Sequence, residues 1–203
     1  MTSIAARALA TSLAAASFTL SGPAGAAPPV EVSYQLSGSP GQWVLDFSLT
    51  NNVPSTNDEL GVYLFGLILP GGSGALSSPD NWPVFFSPVS TDVLRGSGKT
   101  YTTNWLDYQY GIALPFGQTL SGFRVSDGEQ SAPNGIDWVA YAIGPAGPDV
   151  NIVYTGPSTD YIGPVAYNPG FEGTAFPTNV PEPGAAWLLG LGLGVAAIAR
   201  RRA

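Results

Sequence analysis

The sequence predicts an all-β protein: an antiparallel β-sandwich of about eight strands, flanked by an N-terminal signal helix and a C-terminal transmembrane helix. Three observations lead there. Apolar and polar residues alternate with period two between residues 30 and 50. The 203 residues include 26 Gly and 19 Pro, and between the two ends of the chain no window of about 11 residues keeps a helical period unbroken. Two uncharged apolar runs lie at the ends of the chain, apart from the strand-like middle.

The strands follow in order. "VEVSYQL" puts Val30, Val32, Tyr34 and Leu36 on one face, and "WVLDFSLT" does the same with Trp43, Leu45, Phe47 and Leu49. "SGSPGQ" between them carries the Gly and Pro of a hairpin turn, so the two strands are expected to pair antiparallel. "LGVYLFGLIL", residues 60–69, is apolar on both faces, as a central strand would be. Pro83 and Pro88 bracket "NWPVFFSP", which suits an edge strand. "KTYTTNWLDY", "QTLSGFRVSD", "IDWVAYAIG" and "VNIVYTG" complete the set. The ectodomain is expected over residues 28–163, with an irregular linker over 164–179.

The first 27 residues have the layout of a secretory signal peptide. Arg7 gives the positive start, Ala8–Leu20 the apolar stretch, Gly22-Pro23 the break, and Ala24–Ala27 the small residues that signal peptidase requires. Cleavage is expected after Ala26 or Ala27, which makes signal peptidase a partner and the mature chain an exported one.

At the other end, residues 185–199 are uncharged and Arg200, Arg201 and Arg202 follow at once. A helix of this length covers about 23–26 Å, short of the ~30 Å hydrocarbon core. Snorkelling arginines and local thinning would let it span, with the arginines cytoplasmic and the ectodomain outside. Pro181 and Pro183 separate the span from the domain before it.

Composition narrows the function. Charged residues make up 10% of the chain, against about 25% in an average globular protein. Net charge is −7, and of seven basic residues only Arg95, Lys99 and Arg124 lie between the ends. Such a surface repels nucleic acid, so no nucleic-acid partner is expected. There is no His and no Cys, which removes the Ser–His triad, thiol chemistry and the commonest zinc ligands.

The residues Val180-Pro181-Glu182-Pro183, the apolar span 185–199 and the terminal Arg200-Arg201-Arg202 together resemble the PEP-CTERM sorting domain of exported bacterial proteins. That resemblance implies recognition by exosortase, a membrane transpeptidase-like enzyme. It also implies removal of the tail near the motif after transient anchoring in the inner membrane, and delivery to the cell surface or an exopolysaccharide matrix. The stretches "SGSPGQWVLDFSLTNN", "SGFRV" and "WVAYAIG" look more loosely like β-rich ectodomains of such proteins, a likeness that implies no activity.

Within the ectodomain no catalytic residue, cofactor or metal is assigned. "RGSGKT", Arg95–Thr100, has Val93 where a phosphate-binding loop needs its first Gly, and reads as a loop between strands. Asp127, Glu129 and Asp137 surround a Gly/Pro loop that could offer oxygens to Ca²⁺, but they match no calcium-loop spacing and read as solvated charge, as do Asp58, Glu59 and Asp80. Asp46 faces away from the apolar face of its strand, with no second carboxylate bracketed to it for glycoside hydrolysis. Trp43 and Trp138 sit in apolar strands and are expected in the core, whereas Trp82 and Trp105, beside Asn81 and Asn104, are the candidate glycan-stacking residues. The expected function is thus a non-enzymatic surface or matrix protein. A carbohydrate-binding module is the first alternative and a carboxylate-dependent glycan hydrolase the second.

Overall fold

The alternating residues of the first two strands do pair as a hairpin. β1 (Val30–Ser39) and β2 (Gln42–Asn51) are antiparallel, with Val30 opposite Asn51 and Ser39 opposite Gln42. The turn depends on glycine: Gly38 has φ 103°, and a Cβ there would collide with the Gln42 carbonyl oxygen. The structure is a computed structural model, and residues 27–69, 73–93, 95–107, 113–145, 147–163 and 165–179 are described. The expected signal segment, apart from an exposed Ala27, and the whole of residues 180–203 lie outside these, including Ala26 and the span 185–199. Among the described residues no helix is long and apolar enough to cross a membrane.

The hairpin grows into a five-stranded sheet. β9 (Thr119–Asp127) pairs with β2, β4 (Gly74–Ser77) with β9, and β12 (Pro177–Asn179) with β1, giving the order β12-β1-β2-β9-β4. All these pairings are antiparallel except β1 with β12, which is parallel. A second sheet has the order β11-β10-β3-β8-β5, from β3 (Gly61–Ile68), β5 (Val84–Phe85), β8 (Thr103–Leu106), β10 (Ile136–Ile143) and β11 (Gly170–Ala175). A two-stranded ribbon, β6 (Val89–Ser90) with β7 (Thr100–Tyr101), completes the strands.

The two large sheets bury their apolar faces against each other. Phe123 of β9 lies 5.0 Å from Phe65 of β3 and 5.3 Å from Trp105 of β8, centroid to centroid. Phe47 of β2 reaches Phe65 at 6.1 Å. Each of these four side chains is fully buried, and burial of one large apolar side chain contributes about 1.5–3 kcal/mol. The sandwich therefore closes on an aromatic centre contributed by both sheets. β3 is apolar on both faces because it serves two cores. Val62, Phe65 and Leu67 enter the main one. Leu64 joins Tyr101, Val139 and Ile162 in a smaller cluster on the outer face of the second sheet.

The structure corrects several expectations. Twelve strands form among the described residues rather than eight: "KTYTTNWLDY" divides into β7 and β8, the sequence gives no sign of β4, β6, β11 and β12, and one expected strand is absent. "VNIVYTG" is no strand: its backbone forms an isolated bridge from Tyr154 to Ser55, and the Tyr154 ring packs into the main core, 5.6 Å from Phe171. The region 164–179 is not an irregular linker. Its second half makes β11 and β12, and Phe171 and Ala175 lie in the main core. Gly170 and Gly173 hid this strand, since they look like breakers in the sequence. Their missing side chains make room for partners: a Cβ on Gly173 would come within 2.7 Å of Trp138.

Candidate functional site

The described polar residues that converge most closely lie on the outer face of the second sheet. Outward-facing Glu172 on β11 meets the loop that joins β6 and β7. The Ser97 backbone N–H donates to Glu172 Oε2 at 2.7 Å, the Ser97 hydroxyl to Oε1 at 2.9 Å, and the Tyr101 hydroxyl to Oε1 at 2.8 Å. One register step away, Lys99 Nζ donates to Asp137 Oδ2 at 2.7 Å and Thr174 Oγ1 to Asp137 Oδ1 at 2.8 Å. Arg95 donates to the Gly163 carbonyl at 2.8 Å. Thus "RGSGKT", which has the look of an anion cradle, does hold an anion: the protein's own Glu172.

These contacts set the acidities. Partial burial pushes the Glu172 carboxyl up, but hydrogen bonds from Thr91, the Ser97 backbone, Tyr101 and the Ser97 hydroxyl outweigh it and hold the group below the usual carboxylate range. The hydrogen bond from Lys99 does most to hold Asp137 low, against a smaller opposing effect of burial. Burial first, and then the Glu172 carboxylate it bonds, drive the Tyr101 phenol well above its ordinary value. Charged and hydrogen-bonded in this way, the cluster offers no free base or nucleophile. What it does is fasten the 91–99 loop over the smaller core.

The candidate calcium ligands do not converge. Asp127 is buried at the end of β9, where its Oδ1 accepts from the Glu129 backbone N–H at 3.0 Å. Asp137 belongs to the other sheet and faces Lys99. Among the described residues no group of three or more His, Cys, Asp or Glu side chains could hold a metal ion. Asp46 is on the outer face of β2, where its carboxylate sits 3.8 Å from Arg124 Nε.

The glycan platform is overturned. Trp82 is 3% exposed and Trp105 is 0% exposed, so neither presents a ring face to a sugar. Trp105 stacks on Phe65 at 5.7 Å and Trp82 meets Phe123 edge-on at 5.4 Å. The neighbouring asparagines misled for physical reasons. Asn81 adopts a left-handed turn (φ 66°), and Trp82, the next residue, is in the core. Asn104 is itself buried and spends its side-chain amide on the Ser87 and Tyr101 carbonyls, both at 3.0 Å. Trp43 and Trp138 are in the core, as expected.

Concavities also occur among the described residues, one of them beside candidate carboxylates and another over the first sheet. A pocket of about 200 Å³ has Asp58 and Glu59 beside apolar Ala113, Phe116 and Ile143. A shallow cleft of about 510 Å³ runs over Gln42, Val44, Leu76 and Ser126 on the first sheet. Neither pairs a nucleophile with a base.

The expected sorting residues Val180, Pro181, Glu182, Pro183, Arg200, Arg201 and Arg202 lie outside the described residues, but their point of departure is fixed. β12 ends at Asn179, opposite Gln35, and runs parallel to β1. The chain is therefore heading toward the β1–β2 turn when the motif begins.

The family model described as the PEP-CTERM protein-sorting motif matches residues 179–203. No match is found among curated proteins. Among solved structures, the crystal structure of an uncharacterized protein from Nocardia farcinica, described as having an immunoglobulin-like fold, is 17% identical, with 69% of this chain and 95% of that chain covered and a TM-score of 0.36. At that score the likeness carries no weight, and the fold rests on the strand order above. The match at the tail takes in Val180–Pro183 and Arg200–Arg202, the motif of exported proteins sorted through exosortase, and the chain is a PEP-CTERM domain-containing protein.

Proposed function

We propose that this protein is a non-enzymatic component of the cell surface or exopolysaccharide matrix, delivered there when exosortase removes its tail at the Val180–Pro183 motif. Signal peptidase acts first, after Ala26 or Ala27, and the span 185–199 holds the chain in the inner membrane between the two cleavages. The single observation that carries the proposal is the sorting-motif match over residues 179–203. The ectodomain supports a structural role in that its best-formed polar cluster, around Glu172, spends its hydrogen bonds on tying a loop to a sheet. The lack of any His or Cys in the chain points the same way.

The test is the intact mass of the protein recovered from cells. With exosortase present, the mature species should lack both the first 26 or 27 residues and the C-terminal arginines. Without the enzyme the tail should stay on and the protein should remain in the membrane fraction. A surface-exposed species that still carries Arg200–Arg202 in the wild-type background would overturn the sorting step.

A further inference from the structure

The last strand is held far less firmly than the one before it. β11 pairs six residues with β10 and buries Phe171 and Ala175. β12 has three residues and two registered partners on β1, Tyr34 with Pro177 and Gln35 with Asn179, with a register shift between them. Pro177 has no N–H to give to the ladder. Thr178 adds one side-chain bond, from Oγ1 to the Tyr34 carbonyl at 3.2 Å. Phe176, at the bend between the two strands, is 63% exposed and so anchors little. The change from firm to weak attachment falls at Ala175–Phe176.

This weak strand adjoins the sorting signal without a spacer. The family match begins at Asn179, which is also the last residue of β12. An enzyme that cuts a peptide must enclose an extended stretch of backbone on both sides of the bond it breaks. While β12 lies on β1, one edge of its backbone is paired with the sheet and the sandwich stands one residue from the motif. Detaching residues 176–179 would free up to about 13 Å of extended chain, enough to move the motif away from the domain. We propose that β12 is a releasable clasp: its separation from β1 admits exosortase, and its pairing sets the fraction of chains competent for cleavage. The proposal rests on the sorting function given above.

The chain has no cysteine of its own, which makes a staple easy to interpret. Gln35→Cys with Asn179→Cys would lock β12 to β1 at registered positions. The full-length variant is to be placed in exosortase-containing membranes and tail removal followed by mass. The reduced form should be processed like the wild type and the oxidised form slowed about tenfold or more, since processing scales with the open fraction. Inserting about six Gly/Ser residues after Asn179 should restore the wild-type rate to the oxidised chain, because such a linker reaches the enzyme without opening the sheet. An oxidised chain cleaved at the wild-type rate overturns the clasp. If the reduced double variant is itself resistant, the same insertion in the otherwise wild-type chain decides: faster processing upholds the clasp and an unchanged rate overturns it. A wild-type chain left uncut by active enzyme overturns the sorting function, and the clasp with it.

Discussion

Glu172 and Tyr101 are joined by a 2.8 Å hydrogen bond across 71 residues of sequence, and this bond seals the smaller core of the protein. Tyr101 is 1% exposed and its ring packs with Leu64, Val139 and Ile162, so its hydroxyl depends on the Glu172 carboxylate for a partner. Glu172→Ala would strand that donor and release Ser97 as well. The expected cost is about 1–3 kcal/mol for the unsatisfied buried group. Tyr101→Phe removes the donor itself and leaves the carboxylate its Ser97 bonds, so it should cost less, about 0.5–1.5 kcal/mol. Urea unfolding midpoints of the two variants would check the order. Equal stabilities would show that the bond does not hold the loop.

The same cluster makes stability depend on pH. Glu172 and Asp137 are both held below their ordinary values of 4.5 and 3.8 in the folded protein. A carboxylate with a depressed folded value binds protons more readily when unfolded, so its contribution is complete above the ordinary value and fades as pH falls through the folded one. Both groups are partly solvated, which keeps each contribution small. Folding stability should therefore stay level from neutral pH down to about 4.5 and decline below it. The double variant Glu172→Gln, Asp137→Asn should start less stable and lose less on acidification. An unchanged acid slope in chemical denaturation would rule these two groups out as the cause.

Trp105 gives a prediction that separates core from surface. It is fully buried between Phe65 and Phe123. Trp105→Ala should cost about 3–5 kcal/mol through lost burial and the cavity left behind. Trp105→Phe, which keeps part of the ring stack, should cost clearly less. Thermal melts read the difference directly. A Trp105→Ala variant as stable as the wild type would mean that the ring is not in the core.

How much of this could be read from the sequence depends on what signal each part leaves. Strands with one wet face announce themselves, so Leu45, Phe47 and Leu49 of β2 were placed correctly by alternation alone. β3 was legible for the opposite reason: apolar residues on both faces require two covers, and it has them. Short or glycine-bearing strands left no such signal. β4 has four residues, and β11 contains Gly170 and Gly173, which look like turns until the Tyr141 and Trp138 rings they accommodate are known. For Trp82 and Trp105 a polar neighbour suggests exposure, but Asn104 is a buried residue with its own bonds and both rings lie in the core. The Glu172 cluster was invisible because it depends on a pairing between residues about 75 apart. The tail was the most legible element of all, because sorting enzymes read linear sequence and the signal is written that way.

Asn51 carries the most specific prediction. It ends β2 with no exposed surface, although an asparagine beside Asn52 and Pro54 has the look of a solvated loop residue. Its side-chain amide donates to the Leu60 carbonyl at 2.9 Å and the Leu114 carbonyl at 2.8 Å, while its Oδ1 accepts from the Val53 backbone N–H at 2.9 Å. Three segments thus converge on one amide. Asn51→Asp keeps the shape but points an acceptor at two carbonyls, and burial raises the pKa of the new carboxyl in the folded state. A folded value above the unfolded one means that the penalty is absent at low pH, where the acid is protonated in both states. It then grows as pH rises past the unfolded value of about 3.9. Asn51→Asp should therefore be most destabilised near neutral pH, by about 2 kcal/mol or more, and recover part of that loss as pH falls toward 4. Asn51→Ala lacks the titrating group and should be destabilised by a similar amount at every pH. Denaturation of both variants across that range tests the assignment. A flat difference between Asn51→Asp and Asn51→Ala would show that residue 51 is reached by water and does not brace the loops.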